Sequence, residues 1–310
     1  MESESRNGLW VWQDKFNQFA STMANGKPWP KISIVTPSFN QGHYIEETIR
    51  SVVMQGYPNL EYIVIDGGST DDTVGIIKKY ESKITYWVSE KDNGQTHAIN
   101  KGFERATGDI LAYLNSDDVY MPYTLRLVAE LFSEFSIDWL TGHRSHLVNL
   151  NVNAPLPTAT VKFNSALYRK GFHTPWLLGW NQQPSTFWSA RLFDMAGRKF
   201  NEQMQCSFDI DMWFRFAAFR ELAYVRATLA LMRQHANQKS RTLRLDYTEI
   251  EGNASNYGFQ PLITRKLLVW MIRIPLLRKL ARAILGNPKS KYIDWSPLES
   301  TWRCFEKNTF

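Results

Sequence analysis

Three groups of polar side chains in this 310-residue sequence have the types and spacing to do chemistry. Asn115, Ser116, Asp117 and Asp118 follow directly on DILAYL, a run that suits a buried strand. Carboxylates at such an exit are costly unless a cation, a proton or strong donors compensate them, so the stretch is either a strand-ending surface turn or the floor of a charged site. Further on, FDIDMWFRF places Asp209 and Asp211 about 200° apart on a helix, so the two cannot both face one pocket. Asp211 has Arg215 four residues on, an ordinary surface pair. Asp209 has no such partner and is open to acid–base work, or to a first-turn role against the helix dipole. MRQHANQKS (232–240) then offers His235 as a neutral imidazole or a donor to an anion, with Arg233 and Lys239 beside it, in a polar loop where a histidine is usually just solvated.

These residues need a frame that presents them together. From Lys31 onward short β-branched runs alternate with longer amphipathic stretches. Strands are expected at 32–37, 60–66, 84–89 and 109–115, and helices at 43–55, 70–81, 95–106 and, after Pro122, 122–135. Such alternation predicts crossover connections and an α/β fold, a mostly parallel, Rossmann-like sheet with helices on both faces. Open sheets of this kind bind ligands at the carboxyl ends of their strands, near a reversal in strand order. PSFNQG (37–42), DGGSTDDT (66–73), EKDNGQ (90–95) and NSDD (115–118) all stand at such ends. Residues 142–180 are aromatic and irregular, broken by Pro155, Pro157 and Pro175, and read as a lid or acceptor-facing insertion. Beyond them, 182–197 reads as a short strand entering a helix, and 207–219 as a helix with Ser207 available as its N-cap.

Composition narrows the classes. With 44% hydrophobic residues the chain can bury a substantial core. No basic leader with an apolar core opens it and no stretch of about 18 apolar residues follows, so a cytoplasmic chain without spanning helices is expected. Cys206 and Cys304 have no metal-ligand spacing, which suits a reducing compartment. Residues 262–310 hold ten Lys/Arg against three Asp/Glu, a net +7, so the first 261 residues carry −1 of the total +6. Within the tail, 263–285 has six basic residues and no acid, interleaved with Leu, Ile and Trp. That pattern fits a helix lying in an anionic membrane surface, kinked at Pro275, or equally a helix packed on the core with its basic residues outside. Nucleic acid is not expected, since basic residues elsewhere are balanced by acids.

In order and spacing, VTPSFNQGHYIEETIRSV, IVIDGGSTDDT, DNGQTHAINKGFERATGDILAYLNSDD and FDIDMWFRF resemble the family 2 inverting glycosyltransferases of GT-A fold, over about residues 31–240. Within that family the chain is most similar to the bacterial enzymes that build O-antigen and other surface polysaccharides. The resemblance implies an N-terminal extension at 1–24, a GT-A domain at 25–240 and a basic helical C-terminal extension at 241–310. It also implies transfer of a sugar from a nucleotide-sugar donor, a UDP-sugar first of all, to a glycan or lipid-linked acceptor hydroxyl with inversion. The location expected is the cytoplasm, peripheral at the inner face of the cell membrane if the tail lies in a membrane surface and not if it packs on the core.

The same resemblance assigns roles. Pro37, Ser38, Phe39 and Asn40 would line the nucleotide pocket, Asp66 would accept from the base, and Asn93, Asn115 and Ser116 would complete the nucleotide contacts. Gly94 and Asn100 would run beside the donor sugar. Asp117 and His235 would hold a divalent cation, Mg2+ or Mn2+, with Asp118 supporting, and Asp209 would take the acceptor's proton. Asn115 stands where the family's acidic motif has its first acid, a neutral donor that lowers the expected metal affinity or turns to sugar or ribose. The residues themselves also allow plainer readings: Asp66 as the cap of a turn leading to a helix at Thr70, 37–40 as a β–α turn, Asn100 as a packing residue, and Asp71 and Asp72 as helix first-turn acids. Gly68, where a phosphatase would carry a second aspartate, argues against that class, and no glycine-rich triphosphate loop supports a nucleotidyltransferase. Asn115 keeps open a non-catalytic sugar-nucleotide or membrane-surface binding module of the same fold.

Overall fold

The computed structural model describes residues 19–143, 145–148, 156–157, 163–174, 177–236, 238–239, 248–286, 288–296, 299 and 301–309. Most of the N-terminal extension (1–18), parts of the 142–180 insertion and the start of the tail (241–247) lie outside them. The first half runs β1 (Ile32–Ser38), α1 (Ile45–Val53), β2 (Leu60–Asp66), α2 (Thr73–Lys79), β3 (Tyr86–Ser89), α3 (Gln95–Arg105) and β4 (Ile110–Tyr113). Then come β5 (Val119–Tyr120), α4 (Thr124–Phe135), β6 (Trp139–Thr141), β7 (Ser145–Val148), β8 (Leu156–Pro157) and α5 (Ser165–Arg169). β9 (Thr186–Ser189) leads into α6 (Ala190–Met195), followed by α7 (Phe208–Phe219), β10 (Ala223–Val225) and β11 (Ala230–Gln234). The tail holds α8 (Thr248–Gly252), α9 (Leu262–Arg273), α10 (Pro275–Leu285), β12 (Lys289–Ser296) and β13 (Thr301–Asn308).

Nine strands form one sheet in the order β13-β12-β10-β6-β9-β4-β1-β2-β3. β4, β1, β2 and β3 are parallel to one another, and β9 runs antiparallel between β4 and β6. All seven residues of β1 are buried, as expected of a strand covered on both faces. Its side chains alternate between two cores. Val35 joins Ile63, Ile65, Phe103 and Trp188 on the face covered by α3, α6 and α7. Ile32 and Ile34 join Tyr62, Val64, Ile49 and Leu125 on the face covered by α1, α2 and α4. At Gly102 α3 presses so closely on β1 that a side chain would collide with Val35. β5, β11, β7 and β8 form a small second sheet in that order.

Two expectations are corrected. α2 begins at Thr73, so Asp71 and Asp72 precede the helix. Asp71 instead accepts from the Gly42 and Thr73 amides at 2.9 and 3.0 Å, tying the turn after β2 to the loop after β1. The tail is helical only in part: β12 pairs in parallel with β10, and β13 closes a hairpin on it. Residues 289–308 therefore extend the central sheet, and residue 240 does not bound it.

Below the amino ends of the strands, buried Glu61 accepts from Lys31 Nζ (2.6 Å), Ser33 Oγ (2.5 Å), and the Thr107 amide and hydroxyl (2.7 and 2.8 Å). Burial alone would raise its carboxyl, but these donors outweigh it and hold it at about 2. A depressed carboxylate contributes stability above its unfolded value near 4.5 and loses it as pH falls towards 2. Glu61→Gln should therefore cost on the order of 2 kcal/mol at neutral pH, after allowing for the half-open Lys31. Thermal melts should show that deficit shrink as pH falls through 4.5 to 2.

Candidate active site

The chain leaves β1 towards β2 and β3 on one side, then returns to place β4 on the other. That reversal opens a crevice at the carboxyl ends of β1 and β4. A cavity of about 620 Å3 lies there, within the usual size of small-molecule sites. Pro37, Ser38 and Phe39 line it from the end of β1, Gly94 from the start of α3, and Asn115, Ser116, Asp117 and Asp118 from the turn after β4. Asp209 enters from α7 and His235 from the end of β11, so segments far apart in the chain meet at one opening.

The acidic turn is held from below. Asp118 is buried, accepts from the Arg233 amide at 2.9 Å, and its carboxyl is pushed well up by burial and by the charge of Asp117. Arg233 donates to the Asp117 carbonyl at 2.8 Å and pairs with Glu47, so it is a brace for the turn rather than a reserve of phosphate-binding charge. Asp117 keeps its carboxylate towards the cavity, 3.0 Å from His235 Nε2. His235 packs on Tyr44, and its Nδ1 is buried with no hydrogen-bond partner among the described residues. One carboxylate and the imidazole Nε2 that faces it fit a divalent cation whose other ligands are phosphate oxygens and water. No cluster of three or more His, Cys, Asp or Glu ligands occurs among the described residues.

Asn115 is engaged differently from an acidic ligand. Its Oδ1 accepts from Gln95 Nε2 at 2.7 Å, and its Nδ2 points at Gln183 Oε1 and Asp118 Oδ2 at 3.4 and 3.5 Å. An aspartate here would face two acceptors, one of them the Asp118 carboxyl, which explains the neutral residue. Gln183 continues the network to the Tyr113 carbonyl at 2.5 Å, and Lys239 Nζ reaches Gln95 Oε1 at 3.3 Å. Burial lowers the Lys239 ammonium.

α7 presents Asp209 to the cavity and turns Asp211 away, where Arg215 (2.8 Å) and the Tyr257 hydroxyl hold it. Ser207 occupies the N-cap position, but its hydroxyl makes no cap bond. Glu249 instead holds the segment that enters the helix, accepting from the amides of Gln205, Cys206 and Ser207 at 2.8, 3.2 and 3.2 Å. A carboxylate brought back from α8 thus fixes the end of the helix that carries Asp209. Asp209 keeps an accessible edge on the cavity, while dense protein on its other sides pushes its carboxyl up to about 7.

Four sequence candidates stand outside this wall. Asp66 is fully buried, and its oxygens accept from the Gly68 and Ser69 amides and the Ser69 and Ser89 hydroxyls at 2.5–3.1 Å. It caps its own turn, which Gly68 completes with φ +83°. Asn40, at φ 52°, accepts from the Thr70 amide at 2.9 Å and clasps the same turn. Asn93 is exposed and donates its amide to His97 Nδ1 at 3.2 Å. Asn100 is buried and binds both backbone groups of Phe200 at 2.8 and 3.0 Å, so it joins α3 to the segment before α7 instead of facing a sugar. In the other direction, Gln95, Gln183 and Trp180 line the cavity without having been singled out as site residues by motif, and Lys239, noted beside His235, lines it too. Gln95 and Gln183 carried one available signal: each sits in a polar stretch next to a strand.

A family model described as Glycosyl transferase family 2 matches residues 33–223. An uncharacterized glycosyltransferase of Mycobacterium tuberculosis is 37% identical over 139 residues, 43% of this chain and 53% of that protein. TuaG of Bacillus subtilis, a glycosyltransferase assigned to teichuronic acid biosynthesis, is 39% identical over 117 residues, 37% of this chain and 46% of that protein. The chain thus spans about half the length of these two relatives. An uncharacterized glycosyltransferase of Rickettsia prowazekii is 27% identical over 248 residues, 77% of this chain and 74% of that protein. Among solved structures, S. aureus TarS in complex with UDP-GlcNAc matches with a TM-score of 0.59 at 18% identity, covering 82% of this chain and 70% of that one. Mannosyltransferase PcManGT from Pyrobaculum calidifontis, in complex with GDP-Man and Mn2+, matches at 0.51 and 16%, covering 84% and 88%. These likenesses show a shared GT-A-type α/β fold.

Proposed function

The chain belongs to glycosyl transferase family 2, and we propose that it transfers a sugar from a UDP-sugar to a hydroxyl of a glycan or lipid-linked acceptor in the building of a surface polysaccharide, with inversion at the anomeric carbon. The observation that carries this reading is that Asp209 and the Asp117–His235 pair line the same cavity at the strand-order reversal. The complexes of TarS with UDP-GlcNAc and UDP support a uridine donor, and TuaG supports a surface polysaccharide as the setting.

Asp117 and His235 would hold Mg2+ or Mn2+, which when bound neutralises charge on the departing diphosphate. Pro37, Ser38, Phe39, Asn115 and Ser116 line the cavity and would contact the nucleotide. Gly94, at φ 105°, keeps the start of α3 without a side chain where the donor sugar would pass. Asp209 accepts the proton of the acceptor hydroxyl as its oxygen bonds to the anomeric carbon and the bond to the diphosphate breaks. Attack from the face opposite the leaving group inverts the configuration. A carboxyl near 7 suits this task, because a base is most useful when its pKa lies near working pH.

The test is incubation with a panel of UDP- and GDP-sugars, Mn2+ and a lipid-linked saccharide fraction, following the nucleotide released and the product's anomeric configuration. UDP release that depends on both acceptor and metal, with an inverted product, is expected. If none of the donors releases nucleotide in the presence of metal and acceptor, a binding module of the same fold remains.

A further inference from the structure

We propose that α9 and α10 form a docking surface for an anionic lipid bilayer, lying in the plane of its headgroup layer. One face of each helix is accounted for within the protein. Leu268, Val269 and Ile272 of α9 and Ala281 and Leu285 of α10 close a small core with Leu167, Phe172 and Leu177. A helix simply laid on a protein keeps a polar outer face. Here the outer faces are apolar: Ile263, Leu267 and Trp270 on α9, and Leu276, Leu280 and Ile284 on α10, the least exposed of the six being Ile284 at 53%. At about 100° per residue the first three fall within about 60° of one another and the second three within about 80°. Single exposed apolar residues are ordinary, whereas stripes of this kind mark a surface that something covers.

Charge decides what covers it. Between 263 and 285 there is no acid. Of the six basic residues Arg265 is turned inward, buried against the Gly171 and Gln260 carbonyls (2.6 and 2.8 Å) and Glu251. Arg278 donates to the Ile272 carbonyl at 2.9 Å, and Arg282 is half-buried. Lys266, Arg273 and Lys279 are exposed and flank the apolar stripes at roughly 60–100° around the helices. A second copy of the chain meeting this face symmetrically would set these charges against their own kind. A bilayer satisfies both features, because anionic headgroups take the Lys and Arg while the acyl boundary takes the Leu, Ile and Trp. The helices lie on such a surface and do not cross it. At 12 and 11 residues they are about 18 and 17 Å long against a hydrocarbon core of roughly 30 Å, and no helix among the described residues is long and apolar enough to span. Leu177 of the shared core is followed closely by Trp180 and Gln183 of the cavity wall. Resting on the proposed function, docking would therefore hold the cavity beside a lipid-linked acceptor.

The test needs neither donor nor acceptor, so its failure is distinct from failure of the transferase reading. The full chain is floated with phosphatidylcholine vesicles, alone and with phosphatidylglycerol added. Flotation with the anionic vesicles only, reversed by high salt, is expected. Each basic side chain at the surface strengthens partition about fivefold, so Lys266→Gln, Arg273→Gln and Lys279→Gln together should lower it roughly 100-fold. Leu276→Ser, Leu280→Ser and Ile284→Ser together should abolish it, with circular dichroism melts showing the variant folded. The charge variant alters no apolar contact and keeps the test decisive should the serine variant unfold. Equal flotation with neutral vesicles, no flotation with either, or a charge variant that floats like the parent overturns the proposal. So does a dimer in sedimentation velocity that the serine variant loses, since that assigns the face to a second copy.

Discussion

Asp209→Asn is expected to lower sugar transfer by about 10²- to 10⁴-fold while nucleotide affinity stays within about twofold, because the amide fills the same space but cannot take a proton. Isothermal titration with UDP and Mn2+, beside turnover of donor and acceptor, separates the two effects. In the parent, kcat/KM should climb tenfold per pH unit below about 7 and level off above it, as burial-raised Asp209 ionises. The variant should lose that limb. Stability moves the opposite way: a carboxyl raised from 3.8 to about 7 favours the protonated folded state, so its contribution is best at acid pH and is lost as pH rises through that window. Asp209→Asn should therefore melt higher than the parent at pH 8, by on the order of 1–3 kcal/mol, and no higher near pH 4. A residue that merely caps α7 would show neither the lost pH limb nor the gain at alkaline pH.

Asp117→Ala is expected to lower transfer about 100- to 1,000-fold and to flatten its dependence on Mn2+, since the diphosphate would then leave with its charge uncompensated. The fold should survive. The turn is tied to Arg233 through the Asp117 carbonyl and the Asp118 carboxylate, neither of which the substitution removes. His235→Ala should act in the same direction but less strongly, since an imidazole contributes no charge. Activity measured across Mn2+ concentrations and in chelator checks both. If Asp117→Ala keeps the parent's metal response, Asp117 does not hold the cation.

How much of this was legible in the sequence follows from the physics of each part. β1, β2 and β4 could be read because strands covered on both faces are nearly continuous apolar runs, and the site acids could be read because they stand where those runs end. β12 and β13 could not, because KSKYIDWS and TWRCFEKN are half-exposed and polar, and only pairing with β10 makes them part of the sheet. Asp66 and Asn100 resemble family positions, but the plainer readings, a turn cap and a packing residue, are the ones their bonds to Ser69 and Phe200 fit. The partners distant in sequence, Ser89 for Asp66 and Phe200 for Asn100, depend on chain paths that spacing does not encode. Gln95 and Gln183 have neither charge nor period to betray them, yet they join Lys239, Asn115 and Tyr113 into one polar wall. The tail's composition showed a basic amphipathic segment, and only the fold shows that it carries two apolar faces, one of them uncovered.

Where a donor sits in the cavity decides most directly whether Asp117, His235 and Asp209 act together. A crystal structure of the chain with Mn2+ and a non-transferable UDP-sugar should show the manganese, by its anomalous scattering, bound to Asp117 and His235, with Asp209 facing the anomeric carbon from the side opposite the diphosphate. Manganese bound away from both residues, or a sugar whose reacting face is turned from Asp209, would contradict it.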